Sequence, residues 1–285
     1  MQVNKKVLAI AILILVITVP TVFANYETKA SVISKYKALC SQYPSLASYV
    51  SVGKSVEGRD IWLFRFGNSS GGRVLWDAQL HGNEDLGSET GYLFAQWLLT
   101  SSNSRAKYIL AHNWVLIIPV VNIDKTGRTN AHHVNLNRNF VTGWGKSGSS
   151  SSTSSEYRGP SAGSEAETKV MRAVFQTYKP KWYINTHMFG GPRIYYRSGM
   201  SSTTISTLKS RMTTYAATYG GRTSSYYPFT KIYGYGYAIA DAYSFGAQTL
   251  LVEYGNSNLP SYSQVTTTYY KDSRLLLIVV CSMCG

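Results

Sequence analysis

Short continuous apolar runs alternate along this chain with stretches whose apolar positions recur at helical spacing. Gly58 to Gly67 holds the run Ile61-Trp-Leu-Phe-Arg-Phe66, and Arg73 to Leu80 forms another that stops at His81. Trp114-Val-Leu-Ile-Ile-Pro-Val-Val121 is short and β-branched, which predicts a buried strand. Trp182 to His187, Arg193 to Arg197 and Gln248 to Val252 predict three more. Residues 28–42, Leu86 to Thr100, Ser164 to Tyr178 and Ser201 to Tyr215 predict helices. In the third of these, Ser164 is the expected cap, and Glu165 and Glu167 suit the positive end of the helix dipole. Leu275-Leu-Leu-Ile-Val-Val280 is too short to span a membrane and predicts the last turns of a packed helix. Strands alternating with helices predict an α/β fold, with a mixed, mostly parallel central sheet flanked by helices.

The start of the chain breaks this pattern. Lys5-Lys6 precede an almost unbroken apolar run from Val7 to Val22, and Val22-Phe23-Ala24 sets small residues before a cut. Residues 1–24 are therefore read as a cleaved secretory signal, and 25–285 as one domain in an extracellular protein. No stable membrane insertion is expected after cleavage. About 36 residues then precede the strand at Ile61, fewer than the ~40 that a separate small fold needs, so no folded pro-domain is expected. The net charge of +14 raises the question of nucleic acid. The basic residues are scattered rather than clustered, which argues against such a partner. Three cysteines, Cys40, Cys281 and Cys284, leave room for one disulfide, with Cys40 joined to one of the C-terminal pair. The serine run Ser147 to Ser155 has the composition of a linker. A domain boundary there is rejected, because the chemistry below draws on both sides of it.

That chemistry starts at His81-Gly-Asn-Glu84, directly after a strand. An imidazole and a carboxylate three residues apart can face one ion. A second strand ends in Ile184-Asn-Thr-His187, and a third in Leu250-Leu-Val-Glu253. Ligands gather at the carboxyl ends of strands in open α/β sheets. A carboxylate closing an apolar strand is unfavourable without a partner or a task. Two histidines and a carboxylate leave zinc one open position, and a further carboxylate can accept a proton there. The remaining histidines, His112, His132 and His133, are expected in loops.

These stretches resemble the zinc carboxypeptidase family, the carboxypeptidase A-like enzymes. The matching motifs run in family order: His81-Gly-Asn-Glu84, Arg128-x-Asn130, Val134-Asn-Leu-Asn137-Arg138-Asn-Phe140, Gly159-Pro-x-Ala-x-Ser-Glu165-x-Glu167, Thr186-His187, Ile232-Tyr233 and Glu253. The resemblance implies one zinc ion held by His81, Glu84 and His187. It implies Arg128 at the oxyanion, Asn137 and Arg138 on the terminal carboxylate of a peptide or protein, Tyr233 closing over it, and Glu253 as general base. By the same resemblance Ala240, before Asp241, faces the side-chain pocket, so neutral apolar or aromatic C-terminal residues are expected. Arg193, Arg197 or Arg222 would admit acidic ones if any reached the pocket. A monomer is expected.

Three positions depart from the family pattern. Asn122-Ile-Asp-Lys125 stands where N-P-D-G is usual, Met188 stands where a small polar residue is common, and Asn135 replaces the Asp that orients the first zinc histidine. An amide oxygen at Asn135 can still accept the histidine N–H, but without charge. Two other functions remain at this stage: cleavage of a cell-wall peptide or acyl-amide at the same metal, and a non-catalytic surface binder.

Overall fold

The computed structural model describes residues 26–255 and 259–284; the leader read at 1–24 lies outside them. Eight strands form one sheet: β1 (Ala47–Lys54), β2 (Asp60–Gly67), β3 (Gly72–Asp77), β4 (Asn113–Ile118), β5 (Trp182–Met188), β6 (Arg193–Arg197), β7 (Phe229–Ile232) and β8 (Gln248–Tyr254). Their order across the sheet is β1-β2-β4-β3-β5-β8-β6-β7. The four middle strands, β4, β3, β5 and β8, are parallel. β2 joins antiparallel on one side with β1 antiparallel to it, and β6 joins β8 antiparallel on the other with β7 parallel to it. The helices are α1 (Lys29–Gln42), α2 (Leu86–Thr100), α3 (Ser104–His112), α4 (Leu136–Asn139), α5 (Ala166–Tyr178), α6 (Ser202–Tyr219), α7 (Ala238–Ser244), α8 (Tyr262–Gln264) and α9 (Tyr270–Ser282).

The middle strands read as unbroken apolar runs because both faces of the sheet are covered. Val74 and Trp76 of β3, Trp182 and Ile184 of β5, and Leu250 and Val252 of β8 face one layer. That layer is filled by Tyr36 of α1, Phe94 of α2, Leu208 of α6 and Leu275 to Val280 of α9. Leu75, Tyr183 and Leu251 face the other layer, against Met171 and Phe175 of α5 and Ala238 and Ile239 of α7. Side chains alternate with a period of two. Asp77, Asn185, His187 and Glu253 therefore share the second face, beyond Leu75, Tyr183 and Leu251. This alternation aims the polar strand ends at one place.

Several boundaries differ from the pattern reading. β3 ends at Asp77 rather than Leu80, because Gln79 takes a left-handed conformation (φ 54°). β4 ends at Ile118, before Pro119, which has no N–H for the ladder. Ser164 does not cap α5: Glu165 holds that position, and the Ser164 hydroxyl donates to its carboxylate (2.7 Å). His112 closes α3 rather than lying in a loop, and α6 runs to Tyr219. β1 is a serine-bearing edge strand and α3 a single short helix, so neither shows a strong period. The three cysteines are buried free thiols. Cys40 Sγ faces the Ser48 carbonyl and Cys284 Sγ the Arg73 carbonyl, so the disulfide anticipated between the chain ends is not formed. Among the described residues no helix is long and apolar enough to cross a membrane.

α9 supplies much of one layer, and Leu277 within it is fully buried. Leu277→Ala should lower unfolding free energy by about 2–5 kcal/mol, the range for a buried leucine truncation. Urea denaturation of the two proteins measures it.

Candidate active site

Past β3 the chain turns through Gln79 and presents His81 and Glu84 before α2 begins at Leu86; the Glu84 N–H donates to the His81 carbonyl (3.1 Å). His187 arrives from β5, one residue before its end. The buried Glu84 carboxylate meets both rings: Oε1 lies 2.8 Å from His81 Nδ1 and Oε2 lies 2.7 Å from His187 Nδ1. One donor atom from each of the three lies within 4.8 Å of the others, and no other such group occurs among the described residues.

The far nitrogens of the two rings are also engaged. His81 Nε2 lies 3.0 Å from Asn135 Oδ1, and His187 Nε2 lies 2.8 Å from Asn185 Oδ1. With Nε2 as the donor to its amide oxygen, each ring keeps on Nδ1, the nitrogen facing Glu84, a lone pair that a cation would use. Two imidazole nitrogens and one carboxylate, all buried, suit zinc and leave a fourth position open. Behind Asn185, its Nδ2 donates to Asp77 Oδ1 (2.8 Å) and the Tyr183 hydroxyl to Asp77 Oδ2 (2.7 Å). Burial pushes the Asp77 carboxyl up to about 6, although both hydrogen bonds favour its ionised form. Burial also opposes charge on Glu84, yet the two histidines more than offset it and hold its carboxyl well below the usual range. Burial lowers the pKa of His81. For His187 the adjoining Glu84 carboxylate outweighs burial and raises it.

Glu253 lies beside His187 in register across β5 and β8. The Gly190 N–H donates to its Oε2 (3.1 Å), and a Cβ at Gly190 would meet the carboxylate carbon at 2.5 Å. Burial pushes the Glu253 carboxyl up to about 7, against the opposing pull of His187. Arg128 Nη1 approaches His81 Nδ1 (3.3 Å) and Glu84 Oε1 (3.9 Å). Arg138 lies over the Tyr237 ring at 4.3 Å and donates from Nη1 to the Asn137 carbonyl (2.8 Å). Asn137 accepts the Ala238 N–H (3.0 Å), and its Nδ2 sits 3.0 Å from His187 Nε2.

These groups surround one cavity of about 300 Å³. His81, His187, Glu253, Arg128, Asn137 and Arg138 form its polar side, while Tyr195, Ile232, Tyr237 and Leu251 form a neutral wall. Two predicted members do not line it. Tyr233 is 57% exposed and stacks on Tyr235 (centroids 5.3 Å apart), and the tyrosines that line the cavity are Tyr195 and Tyr237. Ala240 is fully buried within α7, beside Asp241, whose carboxylate binds Arg172 (2.8 Å) and the Thr142 N–H (2.6 Å). Arg193, Arg197 and Arg222 do not line the cavity either, and Arg222 is tied to Asp272 (2.9 Å). Asp77, Asn185, Glu156 and Tyr237 were not singled out from the sequence. Asp77 carried a usable signal, an acid ending an apolar strand.

The unusual turn Asn122-Ile-Asp-Lys125 has its own supports. Lys29 Nζ donates to the carbonyls of Asn122 and Lys125, and Asp124 accepts the Ser55 hydroxyl (2.7 Å) and the Glu57 N–H (2.9 Å). The turn abuts Gly82, between His81 and Glu84, where a Cβ would collide with the Lys125 carbonyl. Side chains far from the cavity thus hold the loop that carries the candidate metal ligands.

The family described as Zinc carboxypeptidase matches residues 32–274. Carboxypeptidase A1 of Bos taurus is 29% identical over 169 residues, 52% of this chain and 40% of that protein. Carboxypeptidase D of Drosophila melanogaster is 30% identical over 146 residues, 44% of this chain and 10% of that protein. The chain spans under half the length of these curated relatives. The crystal structure of carboxypeptidase A from Helicoverpa armigera has a similar fold, with a TM-score of 0.74 and 22% identity, covering 91% of this chain and 73% of that one.

Removing the bridging carboxylate should abolish the metal site. Glu84→Ala is expected to lose bound zinc, and Asn135→Ala to weaken it by about 10–100-fold, as loss of a supporting acceptor does. Competition against a chromophoric chelator measures both. Wild-type zinc affinity in Glu84→Ala would remove Glu84 from the ligand set.

Proposed function

The chain belongs to the zinc carboxypeptidase family, and from that premise we propose that it is a secreted enzyme hydrolysing the C-terminal peptide bond of peptides. One observation carries the reading: two histidines, the Glu253 carboxylate and two arginines converge on one cavity with a neutral wall, and Glu84 groups with the two histidines. His81, Glu84 and His187 would hold zinc, which would supply a Lewis acid able to polarise a carbonyl and acidify water.

The chain's own groups do the rest. Glu253 takes a proton from the attacking water and delivers it to the leaving amine nitrogen. Its pKa near 7 suits both transfers, since a base poised near the working pH accepts and releases a proton readily. Arg128 Nη1 donates to the oxygen on which negative charge builds, where a preorganised donor acts most strongly. Arg138, with Asn137, receives the substrate's terminal carboxylate, which matches a planar guanidinium fork. Tyr195, Ile232, Tyr237 and Leu251 contact the terminal side chain. Tyr233 reaches the cavity only by moving inward from its exposed position. A mixed peptide pool read by mass spectrometry tests the whole reading. Loss of single C-terminal residues supports it; internal cuts or no change sink it.

Glu253→Gln should keep zinc and lose about 10²–10⁴ in rate. In the parent, kcat/KM should rise with pH along an acid limb between 4.5 and about 7, because only the ionised carboxylate accepts a proton. A flat profile there counts against Glu253 as the base.

The neutral wall offers no anion for a buried lysine, and an unpaired buried cation is unfavourable. Matched peptides ending in Phe or Leu should therefore show higher kcat/KM than one ending in Lys. An amidated C-terminus should be poor throughout. A lead for Lys, or equal cleavage of amide and acid, contradicts the assignment of the cavity.

A further inference from the structure

The serine-rich run at 147–155 has a linker's composition, but its backbone is tied down. The Ser149 N–H donates to the Glu156 carbonyl (2.7 Å), the Arg158 N–H to the Ser149 carbonyl (3.0 Å) and the Tyr157 N–H to the Ser154 carbonyl (3.0 Å). Its far end is anchored to the support of His81. The Asn135 N–H donates to the Tyr157 carbonyl (2.8 Å) and Asn135 Nδ2 to the Ser155 carbonyl (3.2 Å). Glu156 stands between these anchors.

The Glu156 carboxylate is shared by both cavity arginines. Its Oε1 accepts from Arg128 Nε (2.8 Å) and lies 2.8 Å from Arg128 Nη2, and its Oε2 forms an ion pair with Arg138 Nη2 at 2.7 Å. We infer that Glu156 is a positioning residue, which sets the spacing and aim of Arg128 and Arg138 so that one meets the reacting carbonyl while the other holds the terminal carboxylate. This rests on the function proposed above.

The geometry gives the reason. Arginine side chains have many rotamers, and two adjacent guanidiniums repel, so neither would hold a fixed aim unaided. One carboxylate meets both, through a charge-assisted hydrogen bond to Arg128 and an ion pair to Arg138. With Nε and Nη2 of Arg128 engaged, Nη1 is the end left pointing at His81 and Glu84. The same negative charge opposes the incoming substrate carboxylate. Glu156 thus loosens binding while sharpening alignment, and its removal has effects of opposite sign. Glu156 and Arg128 are each more than a third exposed, so their pair adds little to stability, and its effect lies in the aim of the guanidiniums.

The test compares the parent with Glu156→Gln and Glu156→Asp, after zinc content and thermal unfolding have been measured. In the zinc-loaded Gln variant, kcat on a peptide with a free C-terminus should fall by about 10–100-fold, the scale of a small misplacement of reacting groups. KM should stay level or fall. Calorimetric titration with N-acetylphenylalanine, with and without zinc, should show binding at least as tight as the parent's. Glu156→Asp keeps the charge but shortens the reach, so kcat should fall with no gain in binding. A kcat reduced by less than about tenfold in Glu156→Gln overturns the inference. So does a raised KM or weaker N-acetylphenylalanine binding, which loss of local structure would cause. If the Gln variant does not fold, the Asp variant decides, and an unchanged kcat there overturns it. If the parent itself releases no C-terminal residue, the proposed function fails, while the calorimetric comparison still tests Glu156.

Discussion

Glu84 is a nearly inaccessible carboxylate whose two oxygens each sit within 2.8 Å of a histidine nitrogen. Such a group is tolerated in a protein interior only when cationic or hydrogen-bonding partners meet it from several sides. Much of the surrounding architecture answers that demand. β3 must stop early so that the chain can turn His81 and Glu84 inward, and β5 must carry His187 to the same depth. Each histidine then needs an acceptor behind it. The two acceptors, Asn135 and Asn185, come from a loop and from the same strand, and each is itself held by a further contact. The support behind Asn185 ends on Asp77 and Tyr183, well inside the sheet.

What could be read from residues alone follows from how local the signal was. His187 and Glu253 were legible because each is a polar residue near the end of an apolar strand, where a period of two fixes its face, and His81 and Glu84 because they stand three residues apart just after an apolar run. Asp77 met the same criterion but was missed, since the apolar run appeared to continue to Leu80. The left-handed turn at Gln79 that ends β3 leaves no hydrophobic trace. Glu156 was hidden in a serine-rich run with no periodicity, and its value lies in two arginines 18 and 28 residues away. Tyr233 and Ala240 were placed by resemblance. The backbone between β7 and α7 decides which tyrosine turns inward and which alanine is covered, and spacing does not encode that. β1 and α3 were missed because an edge strand and a short helix need little amphipathic contrast.

The two asparagines behind the histidines change the character of the site. A charged acceptor would raise the basicity of the imidazole it holds and so strengthen a ligand bond. Neutral amides orient the rings without adding that charge. Together with Arg128 beside His81, they leave Glu84 as the principal negative group among the three candidate ligands. The charge balance of the centre thus rests heavily on one side chain.

β8 is the last strand among the described residues, yet it lies between β5 and β6 in the sheet. β6 and β7 reach the rest of the sheet only through it. A ribosome therefore releases His81, Glu84 and His187 well before the strand that carries Glu253 and Leu251. Parallel pairings between distant segments close slowly, because the intervening chain must first be ordered. The order of synthesis separates the three candidate ligands from Glu253, the proposed base. The cavity is complete only when β8 takes its place in the middle of the sheet.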